Sequence, residues 1–407
     1  MRLALEIVFW LCVGLIAWTQ LAYGLALALL ARVFARTPNV SSDAQTALPS
    51  LSLIIAAHDE RAVIGAKVAN ALALDYPREL LEVIVACDGC GDDTAAIARK
   101  AGADTVLELP RGGKIRAQDA AVRGARGEIV AFSDANAQWE PGAARALVGA
   151  FANPRVGYAC GEVRYLPLET SAREGRAGGH GDRRARGREG RRDAANQEGL
   201  YWRYELVLRR YESRLCSITA GNGAIYATRR DTYILVDPIM GHDLSLPFNM
   251  VKRGLLAVCV PQARASEKMV PSLTGEFARK RRMMSHTWPI LLRGGMLSPR
   301  GYPPLYALMI FSHRLLRYLT PALHALALAA NIALLAIGAG GAQTLYAITL
   351  ALQLGLLLAA LLAGTLGVRP LLIARYYVLT TASPAAGLWD WLRHGTSASW
   401  EAAQGTR

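Results

Sequence analysis

Long uncharged stretches stand out first along the chain. No charged residue lies between Glu6 and Arg32, or between Arg317 and Arg369. The turn "GAGGAQ" divides the second stretch into two spans of about twenty residues, the length that a hydrocarbon core requires. The pattern predicts an N-terminal membrane anchor over residues 1–33 and a membrane hairpin within the C-terminal region 291–407.

Two membrane questions stay open at this stage. The first span is long for a signal peptide and no small-residue cleavage site follows it, so a retained anchor is favoured over a cleaved leader. The apolar stretch 371–392 carries Arg375 and Asp390, so it either crosses the membrane or lies at its interface. Arginines flank the predicted spans, while the "GAGGAQ" turn has no charge, which predicts a cytoplasmic location for residues 33–317.

Between these spans, short β-branched runs alternate with helical patterns. The predicted strands are residues 51–57, 81–87, 127–133 and 156–166, and the predicted helices are 63–74, 94–101 and 117–126. Apolar strands that alternate with helices predict an α/β fold, a mostly parallel twisted sheet with helices on both faces. In such sheets a ligand binds beyond the carboxyl ends of the strands.

Acidic side chains follow three of these strands. The first ends in His58, Asp59 and Glu60, the second in Asp88, and the third in "SDAN", with Asp134 and Asn136. Carboxylates there can accept hydrogen bonds from a nucleoside or bind a divalent cation against a diphosphate. Taken singly, Asp59 and Asp92 are each better explained as helix caps.

Two glycine-containing segments bear on phosphate binding. The first strand is not followed by GxGxxG, which argues against a dinucleotide-binding domain. Gly112, Gly113 and Lys114 precede a predicted helix, so backbone amides and a lysine could face anionic oxygen there. The P-loop frame around that lysine is missing.

The motif "CDGC", Cys87 to Cys90, has the spacing of a redox pair or of half a zinc site. No second CxxC or HxxxH supplies further ligands, and no Trp or Pro flanks the pair as in thioredoxin-like motifs. Both interpretations are therefore disfavoured, and the six cysteines are expected to stay reduced in the cytoplasm.

Composition changes this picture little. The chain has 407 residues, is 52% hydrophobic and carries a formal net charge of +14. Much of the basic charge lies beside the predicted spans or in the Gly/Arg-rich segment 170–194, which is typical of a disordered loop. Without interleaved aromatic residues or a reading module, nucleic acid is not an expected partner.

The order of several motifs resembles glycosyltransferase family 2 and its GT-A nucleotide-sugar domain. These motifs are "AAHDERAVIGAKVANALALDYP", "EVIVACDGCGDDT", "LPRGGKIRAQDAAV", "IVAFSDANAQWEPGA", "TAGNGAIYATRRD", "GHDLSLPF" and "EFARKRRMM". The resemblance covers most of residues 48–290, and the flanking helices are similar to those of membrane-bound polysaccharide synthases.

The resemblance implies that a UDP-sugar donor binds at the strand ends. It makes Asp88 the acid that holds the uridine and Asp134 the first residue of the family's DxD. The predicted donor-binding set is Ala57, Glu60, Asp88, Lys114 and Asp134. Mg²⁺ or Mn²⁺ would be held by Asp134 and Asn136, where the amide departs from the family's second acid and is a weaker ligand.

The resemblance also implies the catalytic residues. Asp243 matches the last acid of the family's TED or ED motif and would be the general base, with His242 in place of the preceding acid. A helix cap is the alternative for Asp243. Arg279 and Arg282 match the (Q/R)xxRW motif and would neutralise the leaving diphosphate, but Met283 replaces the tryptophan. A basic patch against anionic lipid is the other interpretation.

Two further features have a possible acceptor role. "GNGAIY", residues 221–226, matches a family loop near the acceptor, where glycine permits close backbone approach. Trp202, Tyr204 and Tyr211 lie on a predicted helix and could stack on sugars, but aromatic residues at helical spacing more often belong to the core.

The sequence thus predicts a membrane-embedded, inverting family 2 hexosyltransferase. It would pass sugar from a UDP-sugar to a polysaccharide or glycolipid acceptor, that is, a saccharide or lipid-linked acceptor, as a multi-pass protein of the inner (plasma) membrane with a cytoplasmic catalytic domain. The alternatives are a single-sugar transferase to a lipid carrier and a non-catalytic partner of a synthase complex. Besides the bilayer, export or synthase proteins are candidate partners.

Overall fold

The fold was established from a computed structural model. It describes residues 1–34, 48–166, 202–268, 273–338, 340–366 and 368–398. The Gly/Arg-rich segment 170–194, predicted to be a disordered loop, lies outside the described residues.

A single eight-stranded sheet forms the centre of the α/β part. Its order is β3-β2-β1-β4-β7-β6-β8-β5. The strands are β1 Leu51–Ala57, β2 Leu81–Asp88, β3 Thr105–Leu109, β4 Ile129–Asp134, β5 Gln138–Trp139, β6 Val156–Leu166, β7 Tyr226–Arg229 and β8 Leu256–Lys268.

The sheet has a parallel half and a mixed half. Strands β3, β2, β1 and β4 run parallel, whereas β7 is antiparallel to both β4 and β6. Beyond β6, strand β8 is parallel to it and pairs antiparallel with the short β5. The predicted α/β class is confirmed. Three of the four predicted strands, β1, β2 and β4, lie in the parallel half, and the fourth, β6, lies in the mixed half.

Helices cover the sheet and flank it in sequence. They are α1 Arg2–Phe34, α2 Ile64–Leu72, α3 Thr94–Lys100, α4 Lys114–Gly124, α5 Ala143–Gly149, α6 residues 202–215, α7 His242–Lys252, α8 Leu273–Leu292, α9 Pro304–Ala336, α10 Gln343–Leu366 and α11 Arg369–His394. Short 3₁₀ turns occupy Arg78–Leu80, Ala150–Ala152 and Gly340–Ala342. Helix α4 begins three residues before its predicted start because Gly113 ends the preceding extended loop.

Alternating side chains of the parallel strands bury two faces. On one face, Leu53 and Ile55 of β1 pack beneath α2 and α5 with Val68 and Leu147. On the other face, Ile54 of β1 belongs to a second buried cluster that includes residues of α4 and α7. Every residue of β1 is buried, which is expected of a central parallel strand covered on both sides.

Three helical segments are long and apolar enough to cross a membrane. They are Arg2–Phe34, Pro304–Ala336 and Gly340–Leu366, with mean hydropathies of 1.8, 1.7 and 2.2. They coincide with the predicted anchor and hairpin. Helix α11 covers the stretch 371–392 and packs against α8, α9 and α10, but it is not among these three candidates.

Helices α1 and α9 each contain a π-helical segment, and the two segments face each other. Thr19 in Trp18–Ala22 donates its hydroxyl hydrogen bond to the Ser312 carbonyl at 3.0 Å, within Ile310–Leu315. A π turn frees backbone carbonyls from the helical ladder, and here one of them is satisfied by the neighbouring helix.

An ion-pair cluster joins α6 to these helices. Glu212 of α6 accepts hydrogen bonds from the Tyr23 hydroxyl at 2.7 Å and from His313 Nδ1 at 2.6 Å. Glu205, which lies two helical turns before Glu212, pairs with Arg317 of α9. We refer to these groups, with Arg314 and Thr219, as the junction cluster. Arg314 Nε donates to Thr219 Oγ1 at 2.8 Å, so the cluster reaches the segment leading to "GNGAIY".

Candidate functional site

The strand ends that carry acidic residues meet at one edge of the sheet. Strand β1 lies between β2 and β4, with Ala57 in register with Cys87 and Ala56 in register with Asp134. The carboxyl ends of the three strands therefore lie side by side, as predicted.

Asp88 is buried and engaged by backbone amides. Its Oδ1 accepts the N–H of Gly112 at 2.6 Å and that of Gly113 at 3.0 Å, directly before α4. Arg111 Nη1 lies 3.6 Å from Oδ2. The carboxylate of the second strand thus fixes the loop at the start of α4, a contact that sequence patterns did not reveal.

Asp134 faces a lysine instead. Lys114, the first residue of α4, forms an ion pair with its carboxylate, and both side chains remain about one fifth exposed. Gly223 of "GNGAIY" covers the pair, since a Cβ on it would lie 3.3 Å from Lys114 Nζ and 3.7 Å from Asp134 Oδ2. The loop expected near the acceptor therefore approaches the pair expected at the diphosphate.

Asp243 lies in the first turn of α7, near enough to Lys114 for the positive charge of that lysine to act on its carboxyl. Burial raises the pKa of its carboxyl, and the positive charge of Lys114 opposes that rise. Its backbone carbonyl accepts the Gly221 N–H at 2.7 Å, which ties the turn to the glycine loop. The structure thus brings the predicted base together with Lys114 and with the loop above Asp134.

His242, its chain neighbour, points into the core. Its Nδ1 lies 2.9 Å from the Tyr226 hydroxyl and its Nε2 lies 3.2 Å from that of Tyr233. Burial, reinforced by the positive charge of Lys114, lowers its pKa to about 3, so it is neutral at physiological pH. The departure from the family's acid therefore places a core residue at this position.

Two ionisable residues of the site were missed by sequence reasoning. Lys67 of α2 is fully buried, its Nζ lies 5.3 Å from the Trp139 ring centroid, and it has no hydrogen-bond partner among the described residues. Burial lowers its pKa to about 7, although Asp134 and Glu267 oppose this. Burial and the charge of Asp134 raise the pKa of Glu267, near the end of β8, to about 7.

Of the basic residues of α8, Arg279 acts on Glu267 of this site, and Arg282 acts on His286, which also lies within the electrostatic reach of Asp243. Arg279 is half-buried, and its charge lowers the pKa of Glu267. Arg282 and Met283 are exposed, whereas Arg281 forms a two-pronged ion pair with Asp390 of α11 at 2.6 Å. Arg279 therefore acts on the site, whereas the neighbouring Arg281 holds α8 against α11.

The remaining predicted donor residues border the same edge. Ala57 is buried at the end of β1, and the backbone carbonyl of the buried Glu60 accepts the Ile64 N–H at 2.9 Å, which starts α2. Asn136 is half-buried in the turn after β4. Of the two predicted caps, Asp92 accepts the N–H of Thr94 at 3.0 Å at the start of α3.

Other predicted acceptor aromatics belong to the packing of α6. Trp202 Nε1 donates to the Val163 carbonyl at 2.7 Å, and the Tyr204 hydroxyl donates to the Gln20 carbonyl at 3.2 Å. Tyr211 packs against a buried cluster that includes Leu208. These contacts agree with the core interpretation of the aromatic stripe.

The oxygen donors near Lys114 suit a hard divalent cation. Asp134 is partly exposed and Asn136 lies two residues away in a turn, so both can offer oxygen, the ligand type that Mg²⁺ and Mn²⁺ prefer. Lys114 already partners Asp134, so a cation and the lysine would share that carboxylate. The residues fit such a cation.

Comparisons with known proteins agree with this architecture. Residues 52–208 match the family model described as glycosyl transferase family 2. Among solved structures, the chain is similar to "Mannosyltransferase PcManGT from Pyrobaculum calidifontis in complex with GDP-Man and Mn2+". The TM-score is 0.65 at 22% identity, over 96% of this chain and 99% of that one.

Curated relatives match over a shorter range. Beta-monoglucosyldiacylglycerol synthases of Trichormus variabilis and Nostoc sp. are each 32% identical over 143 residues, 33% of this chain and 30% of theirs. The corresponding enzyme of Synechocystis sp. is 33% identical over 135 residues, 30% of this chain and 27% of its own. The chain therefore spans less than a third of the length of these relatives.

The fold is an α/β domain flanked by apolar helices. The resemblance read from the sequence is confirmed: residues 52–208 match the glycosyltransferase family 2 model, and the chain has a GT-A-like fold.

Proposed function

We propose that this protein is a membrane-embedded, inverting glycosyltransferase that uses a UDP-sugar and a lipid-linked or glycolipid acceptor. One observation carries the proposal: Lys114 pairs with Asp134 directly beneath Gly223, within the electrostatic reach of Asp243. The Lys114 ammonium and the carboxylates of Asp134 and Asp243 thus lie where a donor diphosphate and an acceptor hydroxyl would be adjacent.

Asp243 would act as general base. The acceptor oxygen forms a bond to the anomeric carbon, the bond from that carbon to the diphosphate breaks, and the electron pair leaves with UDP. The hydroxyl proton passes to the Asp243 carboxylate, whose raised pKa makes it a better proton acceptor than an exposed aspartate. A single displacement inverts the anomeric centre, so an α-linked donor gives a β-linked product.

Lys114 and Arg279 would bind the diphosphate and stabilise its developing charge. Asp134 and Asn136 would hold Mg²⁺ or Mn²⁺, which when bound neutralises charge on the departing nucleotide. Asp88, Ala57 and Glu60 border the same edge and would enclose the nucleoside. The Asp88 carboxylate would do so while fixing Gly112 and Gly113.

The acceptor proposal rests on two supports. The curated relatives are named as glycolipid synthases, and three helices here are long and apolar enough to lie in a bilayer. Met283, in place of the tryptophan of chain-extending relatives, favours single additions over long polysaccharide. The distribution of arginine around the spans supports a cytoplasmic catalytic domain in a bacterial-type inner membrane.

The test is donor turnover by the purified full chain in detergent with diacylglycerol or a glycolipid. We expect release of UDP from one member of a UDP-sugar panel, with GDP-mannose as the comparison donor, dependent on Mg²⁺ or Mn²⁺. Asp243→Asn should lower kcat by about 10² to 10⁴-fold. Absence of nucleotide release with every donor and acceptor would contradict the proposal and favour a non-catalytic partner of a synthase.

A further inference from the structure

Three metal-ligand side chains converge beside the nucleoside end of the site. His58, Asp59 and Cys90 each offer one atom, and these atoms all lie within 4.8 Å of one another. All three residues are half-buried, so they are reachable from solvent. The ligands come from two different strand ends, which is why the spacing within "CDGC" did not reveal them.

The orientation of His58 suits coordination. Its Nδ1 lies 2.8 Å from the Asp88 carbonyl, and since a carbonyl only accepts, Nδ1 carries the proton. In the neutral ring Nε2 then holds a lone pair, and it lies 3.5 Å from Asp59 Oδ2. A backbone carbonyl on the distal nitrogen is the usual support of a metal-binding histidine.

Asp59 is also held in place by the backbone. Its Oδ1 accepts the Gly91 N–H at 2.7 Å, which leaves Oδ2 turned towards His58. Asp59 has φ of 51°, the one positive φ of a non-glycine residue in the described part of the chain. Such strained backbone is typical of functional sites, and here it occurs at the residue that supplies the carboxylate.

Cys90 supplies the soft ligand. Its Sγ lies 3.6 Å from the Ala57 carbonyl, at the end of the strand that leads into His58. Cys87, the other cysteine of the motif, is fully buried on β2; its thiol contacts that of Cys90 but is not one of the three clustered ligand groups. Burial raises the pKa of both thiols, so the motif lacks the activated thiolate of a redox pair.

We propose that His58, Asp59 and Cys90 form a three-ligand site for a Zn²⁺-class cation, distinct from the oxygen site at Asp134 and Asn136. Imidazole nitrogen, carboxylate oxygen and thiolate sulfur are the ligands zinc takes, and three of them leave the fourth tetrahedral position open. Binding forms one bond to each ligand and releases the Cys90 proton to solvent. Mg²⁺ and Mn²⁺ prefer oxygen and would not compete strongly.

Resting on the proposed function, the site has a regulatory consequence. The cluster lies against Asp88 and Ala57, where the nucleoside would bind, so an occupied site obstructs the donor. Zn²⁺ should then raise the KM for the UDP-sugar, and Cys90→Ser should relieve that inhibition.

The deciding measurement does not need activity. The full chain, reduced and stripped by chelator, is titrated with Co²⁺ while the thiolate-to-cobalt charge-transfer band is recorded, and Zn²⁺ is then added as competitor. We expect one equivalent to bind and Zn²⁺ to displace it. Cys90→Ser should abolish the band, and His58→Gln should weaken binding at least about tenfold.

Cys87→Ser is the matched control, because it alters the same motif outside the cluster and should keep the band. Loss of the band in that variant, or its persistence in Cys90→Ser, overturns the proposal. Thermal unfolding of each variant identifies any that fail to fold, and His58→Gln then decides alone. If the metal results hold while no donor is turned over, the proposed function fails and the metal site stands.

Discussion

Asp88 and Asp134 end neighbouring parallel strands on either side of β1, yet their surroundings differ. Asp88 is buried and receives two backbone N–H groups, which anchor the loop before α4. Asp134 is partly exposed and pairs with the Lys114 side chain, and its charge also acts on the buried Lys67, whose amine has no hydrogen-bond partner among the described residues. The first carboxylate is chiefly held by the fold, whereas the second is presented to a ligand.

The difference shows that position at a strand end does not by itself assign a role. What separates the two carboxylates is the partner. The backbone amides that bind Asp88 are fixed, whereas Lys114 can move from Asp134 to a phosphate and leave that carboxylate able to bind a cation. The comparison therefore predicts opposite responses to mutation.

The largest expected effect is on activity at Asp134. Asp134→Asn removes a charge that positions Lys114 and a divalent cation, so kcat/KM should fall by about 10² to 10³-fold, as for loss of a key electrostatic contact. Unfolding temperature in detergent should change little, since the side chain is partly exposed. A variant as active as wild type would contradict the view that Asp134 is presented to a ligand.

For stability, the reverse is expected at Asp88. Asp88→Ala leaves two N–H groups at the start of α4 without their acceptor, and the free energy of unfolding should drop by about 1 to 3 kcal/mol. Fluorescence-monitored thermal unfolding beside Asp134→Asn measures the contrast. Equal stability of the two variants would show that the amide contacts contribute nothing.

A third prediction concerns Lys67, the buried lysine on which the charge of Asp134 acts. Lys67→Met removes an amine without a hydrogen-bond partner among the described residues, so stability at pH 7 should rise by about 1 kcal/mol. The folded pKa near 7 lies below the value of 10.5 for a free lysine, so the unfolded chain binds more protons between these values. Wild-type stability should therefore gain as pH rises from 7 to 10.5, and the variant should lose that gain.

The smallest effect on activity is expected at His242, which is compared with its chain neighbour Asp243. Its folded pKa near 3 lies below the usual 6.5, so its contribution to stability is complete above pH 6.5 and declines as pH falls towards 3. His242→Asn should flatten that acid dependence and leave kcat within about tenfold of wild type. A loss as deep as that of Asp243→Asn would instead give His242 a catalytic role.

The sequence predicted three of the four strands of the parallel half, because β1, β2 and β4 are compact apolar runs. It did not reveal the less buried β3, nor β5, β7 and β8, whose pairing joins distant segments of the chain and depends on tertiary context. Lys67 was overlooked because a lysine within an amphipathic helix normally faces water. The capture of Asp88 by Gly112 and Gly113 could not be foreseen, because it joins residues more than twenty positions apart.

The junction cluster sets a limit on how this protein can be divided. Glu205 and Glu212 project from the α/β side, while the cations they meet, Arg317 and Arg314 with His313, belong to a helix apolar enough to lie in a bilayer. Cutting the chain before α9 would strand two acids in an apolar contact surface, at a cost of several kcal/mol. The α/β domain and its apolar helices are therefore expected to fold as one unit, and an excised α/β domain would first require these acids to be redesigned.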